Sequence, residues 1–344
     1  MKALKSLALA ATSALALATG AAAETYNMTI ATYITPLHGM SRWLDAWAAD
    51  MTEKSDGRLQ FELLHGAQMG PPPRYYDIAR NGQADITWVL HGATPGRFEL
   101  TEVSNMPFLF CSAEQATLVL NNAELREQYL DEEHRGVKVL QLFMHPPGQV
   151  HMSEGEVRSI DDLEGKAMRP ASAAVGQLIN ALGGKPVGMP PTEMAEGLQK
   201  GTLDGTFIDF GGAGIAFQLG PHLASSTEIG AYTSSFALVM NPDSYAELPE
   251  DLQQLIDESF AGRSAEIGKV WDDVDVAGRN ALEEAGVNII RMSAEEEARF
   301  RDIGDQVTQD YVTKIDGKDK PGSEVLAMLR ALAEEVGPVG FGCR

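Results

Sequence analysis

The chain has 344 residues and a net charge of −22, from 27 Lys and Arg against 49 Asp and Glu. That balance disfavours nucleic acid and anionic membrane surfaces as partners, because both would be repelled; an anionic ligand stays open, since one buried arginine outweighs a diffuse surface charge. The length suits two domains of roughly 100–200 residues each.

At the N-terminus, Lys2 and Lys5, an apolar stretch over about 7–18 and Ala21-Ala22-Ala23 before Glu24 follow the three-part pattern of a secretory signal. A cleaved signal peptide is therefore expected over 1–23, with the mature chain in the periplasm. The apolar stretch is shorter than the roughly 20 residues of a membrane span, and no later segment matches one. Cys111 and Cys343 are the two cysteines. An oxidising compartment lets them pair if their Cα atoms come within about 7 Å, and the sequence leaves a disulfide and two buried thiols equally open.

From residue 26, β-rich runs at 26–32, 59–64 and 86–90 alternate with helical stretches at 39–54 and 73–81, which implies crossovers and a largely parallel sheet. In the first helix Trp43, Trp47 and Met51 fall four apart and mark a core face. A second α/β series follows a strand at 137–143 and the turn Pro146-Pro147-Gly148, a candidate hinge. It comprises strands at 166–169, 185–189 and 202–208 and helices at 174–182 and 191–200. The chain turns apolar again at 236–240, and Asn241-Pro242 then opens a capped helix. From Leu248-Pro249 one long helix is expected to about 285, long enough at 1.5 Å per residue to span two domains. A strand at 287–291 and helices at 293–315 and 322–336 complete an α/β fold of two lobes. The expected division is 24–146 with 235–274 as lobe I and 147–234 with 275–344 as lobe II, the C-terminal helix free to return to lobe I.

Enzyme signatures are absent: there is no G-x-S-x-G, H-E-x-x-H or C-x-x-C. His145 and His151, six apart across a Pro-Pro turn, do not have the spacing of a structural metal site. Gly211-Gly212-Ala213-Gly214 lacks the rest of a dinucleotide fingerprint and reads as a tight turn after a strand. Arg169 is the leading functional candidate. It ends a predicted strand just before Pro170, where clefts form in α/β sheets, and a guanidinium offers a planar fork that holds a carboxylate by two parallel bonds.

Asp209 follows a strand end and has three possible roles: pairing with Arg169, accepting from a hydroxyl or amine of the ligand, or helping to hold a cation. Phe207 and Phe210 flank it; Trp88 and His91 end a first-lobe strand; Tyr33 and His38 follow the first strand. Such rings suit an apolar or cationic part of a ligand. Alternation puts Phe207 and Asp209 on one side, with Phe210 joining only if the backbone turns. Each aromatic alone fits a core, but of the set at least Trp88 or Phe210 is expected to touch ligand. The competing readings are a periplasmic hydrolase or isomerase pairing Asp209 with His38, His91 or His151, and a receptor for an amine or zwitterion held by Asp209 and the aromatics.

The segment Gly165-Lys166-Ala167-Met168-Arg169-Pro170, followed by Gly183-Gly184-Lys185-Pro186-Val187 and by Leu198-Gln199-Lys200-Gly201-Thr202-Leu203-Asp204-Gly205, resembles the solute receptors of tripartite ATP-independent periplasmic (TRAP) transporters. Supporting runs are Thr52 to Leu59, Met69-Gly70, Asn81-Gly82-Gln83-Ala84-Asp85, Met106-Pro107-Phe108-Leu109-Phe110, and Asn241 to Tyr245 with Leu248-Pro249. The resemblance covers most of the mature chain. It implies a two-domain protein that closes on a small organic acid, with Arg169 fixing the carboxylate, and that delivers it to the membrane subunits of an ion-driven permease. It implies no chemistry and no cofactor. A sensor protein is the other partner such a fold could serve. Gln149 lies about where many family members carry a second contact, and the lack of an arginine there speaks against sialic acid. Some relatives hold a metal with a glutamine and a carboxylate, for which Gln149 and Asp209 would be the counterparts.

Overall fold

The structure, a computed structural model, describes residues 24–338. The expected signal peptide and Cys343 lie outside the described residues; Cys111 is disulfide-bonded. Among the described residues no helix is long and apolar enough to cross a membrane.

The chain order is β1 (Tyr26–Ala31), α1 (Gly39–Lys54), β2 (Leu59–Leu64), α2 (Tyr75–Arg80), β3 (Ile86–Leu90), α3 (Ala113–Leu120), α4 (Ala123–Leu125) and β4 (Lys138–Met144). Then come β5 (Gln149–Met152), β6 (Ala167–Arg169), α5 (Ala173–Ala181), β7 (Lys185–Pro186), α6 (Met194–Gln199), β8 (Gly205–Ile208) and β9 (Ser225–Glu228). The chain ends with β10 (Ser235–Met240), α7 (Pro242–Ala246), α8 (Glu250–Phe260), α9 (Ser264–Glu284), β11 (Asn288–Arg291), α10 (Ala294–Asp316) and α11 (Gly322–Val336).

These strands form two sheets, ordered β2-β1-β3-β10-β4 and β11-β9-β5-β8-β6-β7. Both are mixed, because the strand that has just crossed over inserts antiparallel: β10 between β3 and β4, β5 between β8 and β9. The two crossings, at 145–148 and 229–234, run side by side. His145 N donates to Ser234 O at 3.2 Å, Gly148 N to Tyr232 O at 2.6 Å and Ala231 N to Gly148 O at 2.8 Å. Sequence patterning pointed to the first crossing by its prolines and divided the lobes again at 234/235 without a turn signal there; it gave no β5, β9 or α3.

The single long helix expected from 248 to 285 is two helices. Gly262, at φ +72°, breaks the run, since the left-handed region ends a helix at little cost only for glycine. It is α9 that joins the lobes. Gly268 lies against the start of α3, where a Cβ would stand 2.6 Å from Ala113 O, and Gly278 lies against the turn after β8, where a Cβ would stand 2.6 Å from Gly211 Cα. Asp272 secures the upper contact by accepting from Ala113 N at 2.7 Å and Glu114 N at 3.0 Å. Helix α10 also serves both cores: Phe300 and Val307 join that of the second sheet, Tyr311, Val312 and Ile315 that of the first. Helix α11 packs on α3 in the first lobe through Val325, Leu326 and Leu329.

Candidate functional site

Arg169 ends β6 at the seam between the lobes, 3% exposed. Its Nε donates to Met189 O at 3.3 Å, and among the described residues no carboxylate forms an ion pair with it. Burial lowers its pKa, offset in part by the Tyr232 and Tyr33 hydroxyls nearby. Both phenols are pushed up by burial. A buried guanidinium with one long carbonyl contact is an uncompensated charge, costly unless an anion meets it.

Arg169 borders two spaces. Inward is a chamber of about 40 Å³, room for about three waters at roughly 10–15 Å³ each. Outward is a groove of about 530 Å³, walled by Pro72, Pro95, Pro170, Pro190 and Met189; Leu90, Arg169, Ala171 and Pro191 line both. The lobes touch beside the groove, where Gly92 abuts Ala171 and Ser172. The conformation is closed, and a ring-sized solute enters the chamber only if the lobes part.

The chamber's walls are largely aromatic. Phe236 of β10 and Trp271 of α9 lie 4.8 Å apart between ring centroids, and the ring of His38 stands edge-on to Trp271 at 5.3 Å. His38 caps α1 by accepting from Met40 N at 3.2 Å, and burial lowers its pKa to about 4. Tyr232, on the second crossing, donates to Phe207 O at 2.8 Å and meets His145 edge-on at 5.4 Å. His145 Nδ1 donates to Pro146 O, and burial lowers its pKa.

Asp209 stands at the floor, just past β8. Its Oδ2 accepts from Gly212 N at 2.9 Å and Trp271 Nε1 at 3.3 Å, while Oδ1 faces His145 Nδ1 at 4.0 Å. It does not pair with Arg169. On the far side of the same turn, Asp275 of α9 accepts from Gly211 N at 2.9 Å, and burial followed by the Asp209 charge raises its pKa.

Of the residues singled out from sequence, the chamber brings together Arg169, Asp209 and His38, with Tyr33 within electrostatic reach of the first two. The others lie elsewhere. Trp88 sits behind the wall, its ring edge-on to Phe143 at 4.7 Å and to Trp271 at 5.6 Å. Phe210 points to the opposite face against His151, and Phe207 is core on the other side of β8. Trp88 and Phe210 do not line the chamber, whereas Trp271 and Phe236 do. The alternation argument failed because the strand ends at Ile208 and the chain turns helically at Asp209.

His91 bonds Ser235 Oγ at 2.9 Å and His134 Nε2 at 3.0 Å, inside the first lobe. His151 spends both ring nitrogens on Ser226 Oγ and Ile208 O. Neither is free to act as a base beside Asp209. Gln149 Oε1 accepts from Ile229 N and Gly230 N at 2.7 and 2.9 Å, tying the crossings together and facing a separate groove, so it and Asp209 share no cation site. Among the described residues no group of three or more His, Cys, Asp or Glu could hold a metal. Trp271 was discoverable as the tryptophan midway along an interlobe helix; Tyr232 and Ser234 lie on the crossing that carried no turn signal, and Phe236 on the strand it leads into.

Fold and seam define a two-lobed α/β solute receptor. The chain belongs to the bacterial extracellular solute-binding protein family 7 (DctP), whose model matches residues 30–314. It is similar to the TRAP solute-binding protein of Rhodoferax ferrireducens T118, solved with copurified benzoate, at 29% identity and TM-score 0.86 over 91% of this chain and 98% of that one. A marine metagenome TRAP solute-binding protein specific for aromatic acid ligands, solved with metahydroxyphenylacetate, gives 26% identity and TM-score 0.87 over 91% and 100%. A solute-binding protein of Chromohalobacter salexigens is 23% identical over 287 residues, 80% of this chain and 83% of that one. The family serves transport, not catalysis.

Proposed function

We propose that the protein is a periplasmic receptor that holds a small aromatic carboxylate on Arg169 between its lobes and delivers it to the membrane subunits of a TRAP permease. The observation that carries this reading is the buried guanidinium that no carboxylate among the described residues pairs with. The rings of Phe236, Trp271 and Tyr232 provide flat apolar walls beside it. The similarity to receptors solved with benzoate and metahydroxyphenylacetate supports the same ligand class. In this reading 1–23 is a cleaved export signal; lobe I is 24–146 with 235–274, and lobe II is 147–234 with 275–316. The segment after 316, carrying α11, belongs with lobe I. The lobes open about the crossings at 145–148 and 229–234 to admit the acid.

Calorimetric titration of the mature protein with a panel of aromatic and aliphatic carboxylates, alongside neutral sugars and amines, tests the proposal. Binding confined to carboxylates and lost in Arg169→Met supports it. Binding of amines or sugars, or carboxylate affinity unchanged in the variant, overturns it.

A further inference from the structure

Three consecutive hydroxyls on the second crossing are treated differently by the fold. Thr233 Oγ1 donates to Ser104 O at 3.2 Å and Ser235 Oγ bonds His91 Nδ1 at 2.9 Å. Ser234, between them, is 2% exposed, lines the chamber, and its Oγ has no hydrogen-bond partner among the described residues. Most buried polar atoms in native proteins are paired, so an orphan hydroxyl on a residue that lines the chamber marks a place for a ligand atom.

Of the polar groups sharing that chamber, His38 accepts from Met40 N at Nδ1 and so carries its proton on Nε2, a donor, whereas Asp209 and His145 present acceptors. Asp209 Oδ2 is occupied by Gly212 N and Trp271 Nε1, which leaves Oδ1, whose nearest cationic-type neighbour, His145 Nδ1, is at 4.0 Å and too far to bond. Since His145 gives its Nδ1 proton to Pro146 O, its neutral ring carries a lone pair on Nε2. The chamber is thus chemically divided. Arg169 and His38 Nε2–H offer donors, while Asp209 and His145 offer acceptors, with the Ser234 hydroxyl able to do either.

Resting on the carboxylate reading above, we infer that the solute carries a second polar group, a hydroxyl or amino donor, which Ser234 engages together with Asp209 Oδ1 or His145 Nε2. The ligand class is an aromatic acid substituted with a hydrogen-bond donor. An unsubstituted ring would leave these atoms unpaired, and a site built to bond a hydroxyl rejects the analogue lacking it.

Affinities for 3-hydroxybenzoate and 3-aminobenzoate, set against benzoate and 3-methoxybenzoate, test this in the native protein and in Ser234→Ala and Asp209→Asn. The native protein is expected to bind the donor-bearing acids about tenfold or more tightly than benzoate and the methoxy acid. Ser234→Ala should reduce that ratio severalfold while retaining benzoate affinity, which a merely structural role for the serine would not do. Equal affinity across the four acids, or a ratio unchanged in both variants, overturns the inference and leaves the carboxylate reading intact. Loss of every acid in Arg169→Met, with the ratio preserved in the native protein, keeps the two claims separate; no binding of any of the acids to the native protein overturns both.

Discussion

Gly92 and Ser172 meet across the cleft: a Cβ on Gly92 would stand 2.7 Å from Ser172 Cβ and 2.8 Å from Ala171 O. The first follows β3 and the second caps α5 by accepting from Val175 N at 3.3 Å, so each is anchored to its own lobe. Closure brings backbone to backbone here, and no side chain fits between.

Gly92→Val is therefore expected to hold the lobes apart without harming either core. Small-angle scattering at saturating ligand would show a larger radius of gyration than the native complex, with affinity weakened about tenfold or more. Native-like compaction on binding would refute the contact's role.

Arg169→Met should raise the thermal midpoint of the ligand-free protein as it removes binding. Replacing a buried, unpaired charge with an apolar side chain of similar length relieves desolvation, and even for buried ion pairs the apolar replacement is often neutral or stabilising by about 1–4 kcal/mol. A midpoint lowered by several degrees would show that the guanidinium serves the fold.

Glu102 is buried with Oε1 unpaired, and burial, reinforced by the Glu133 and Glu99 charges, raises its pKa from 4.5 to about 8. A carboxyl whose folded pKa is raised contributes stability that is fully present below pH 4.5 and is lost as the pH rises through about 8. Glu102→Gln should therefore raise the midpoint at pH 8.5 relative to its effect at pH 5, read by calorimetry at both. An identical effect at the two pH values would contradict this.

His38 works in the opposite direction. Burial lowers its folded pKa from 6.5 to about 4, so its contribution is present above pH 6.5 and is lost as the pH falls through about 4. His38→Asn keeps a side chain able to cap α1 and should reduce the loss of stability between pH 6.5 and 4. Denaturant midpoints across that interval, compared with the native protein, decide the matter.

Much of this arrangement was legible in the residues. Arg169 declared itself by chemistry and position, a fork-shaped cation at a strand end beside proline, and both α/β series followed from alternating periods. The long-range partners did not. Whether Trp88 or Trp271 faces the chamber depends on how β3 and α9 stack, since the two rings touch and only one is in front. Asp209 and Arg169, both recognised, turned out to serve different ends of the chamber because a helical turn redirects the aspartate to Gly212 and Trp271. The pairing of 145–148 with 229–234 joins segments about eighty residues apart, and no local pattern encodes it.

The insertion of β10 between β3 and β4 also governs the order of assembly. Strands β5, β6, β7, β8 and β9 come from one uninterrupted stretch, whereas in the first sheet β4 stays separated from β3 until residues 235–240 arrive. A chain emerging amino end first completes the interior of its later-made sheet before its earlier-made one. Pulse-labelled hydrogen exchange on the chain during its synthesis should protect the amides of β5 and β8 before those of β4, and simultaneous protection would argue otherwise. The amino-terminal half thus waits on residues 235–240 before β4 can join its sheet.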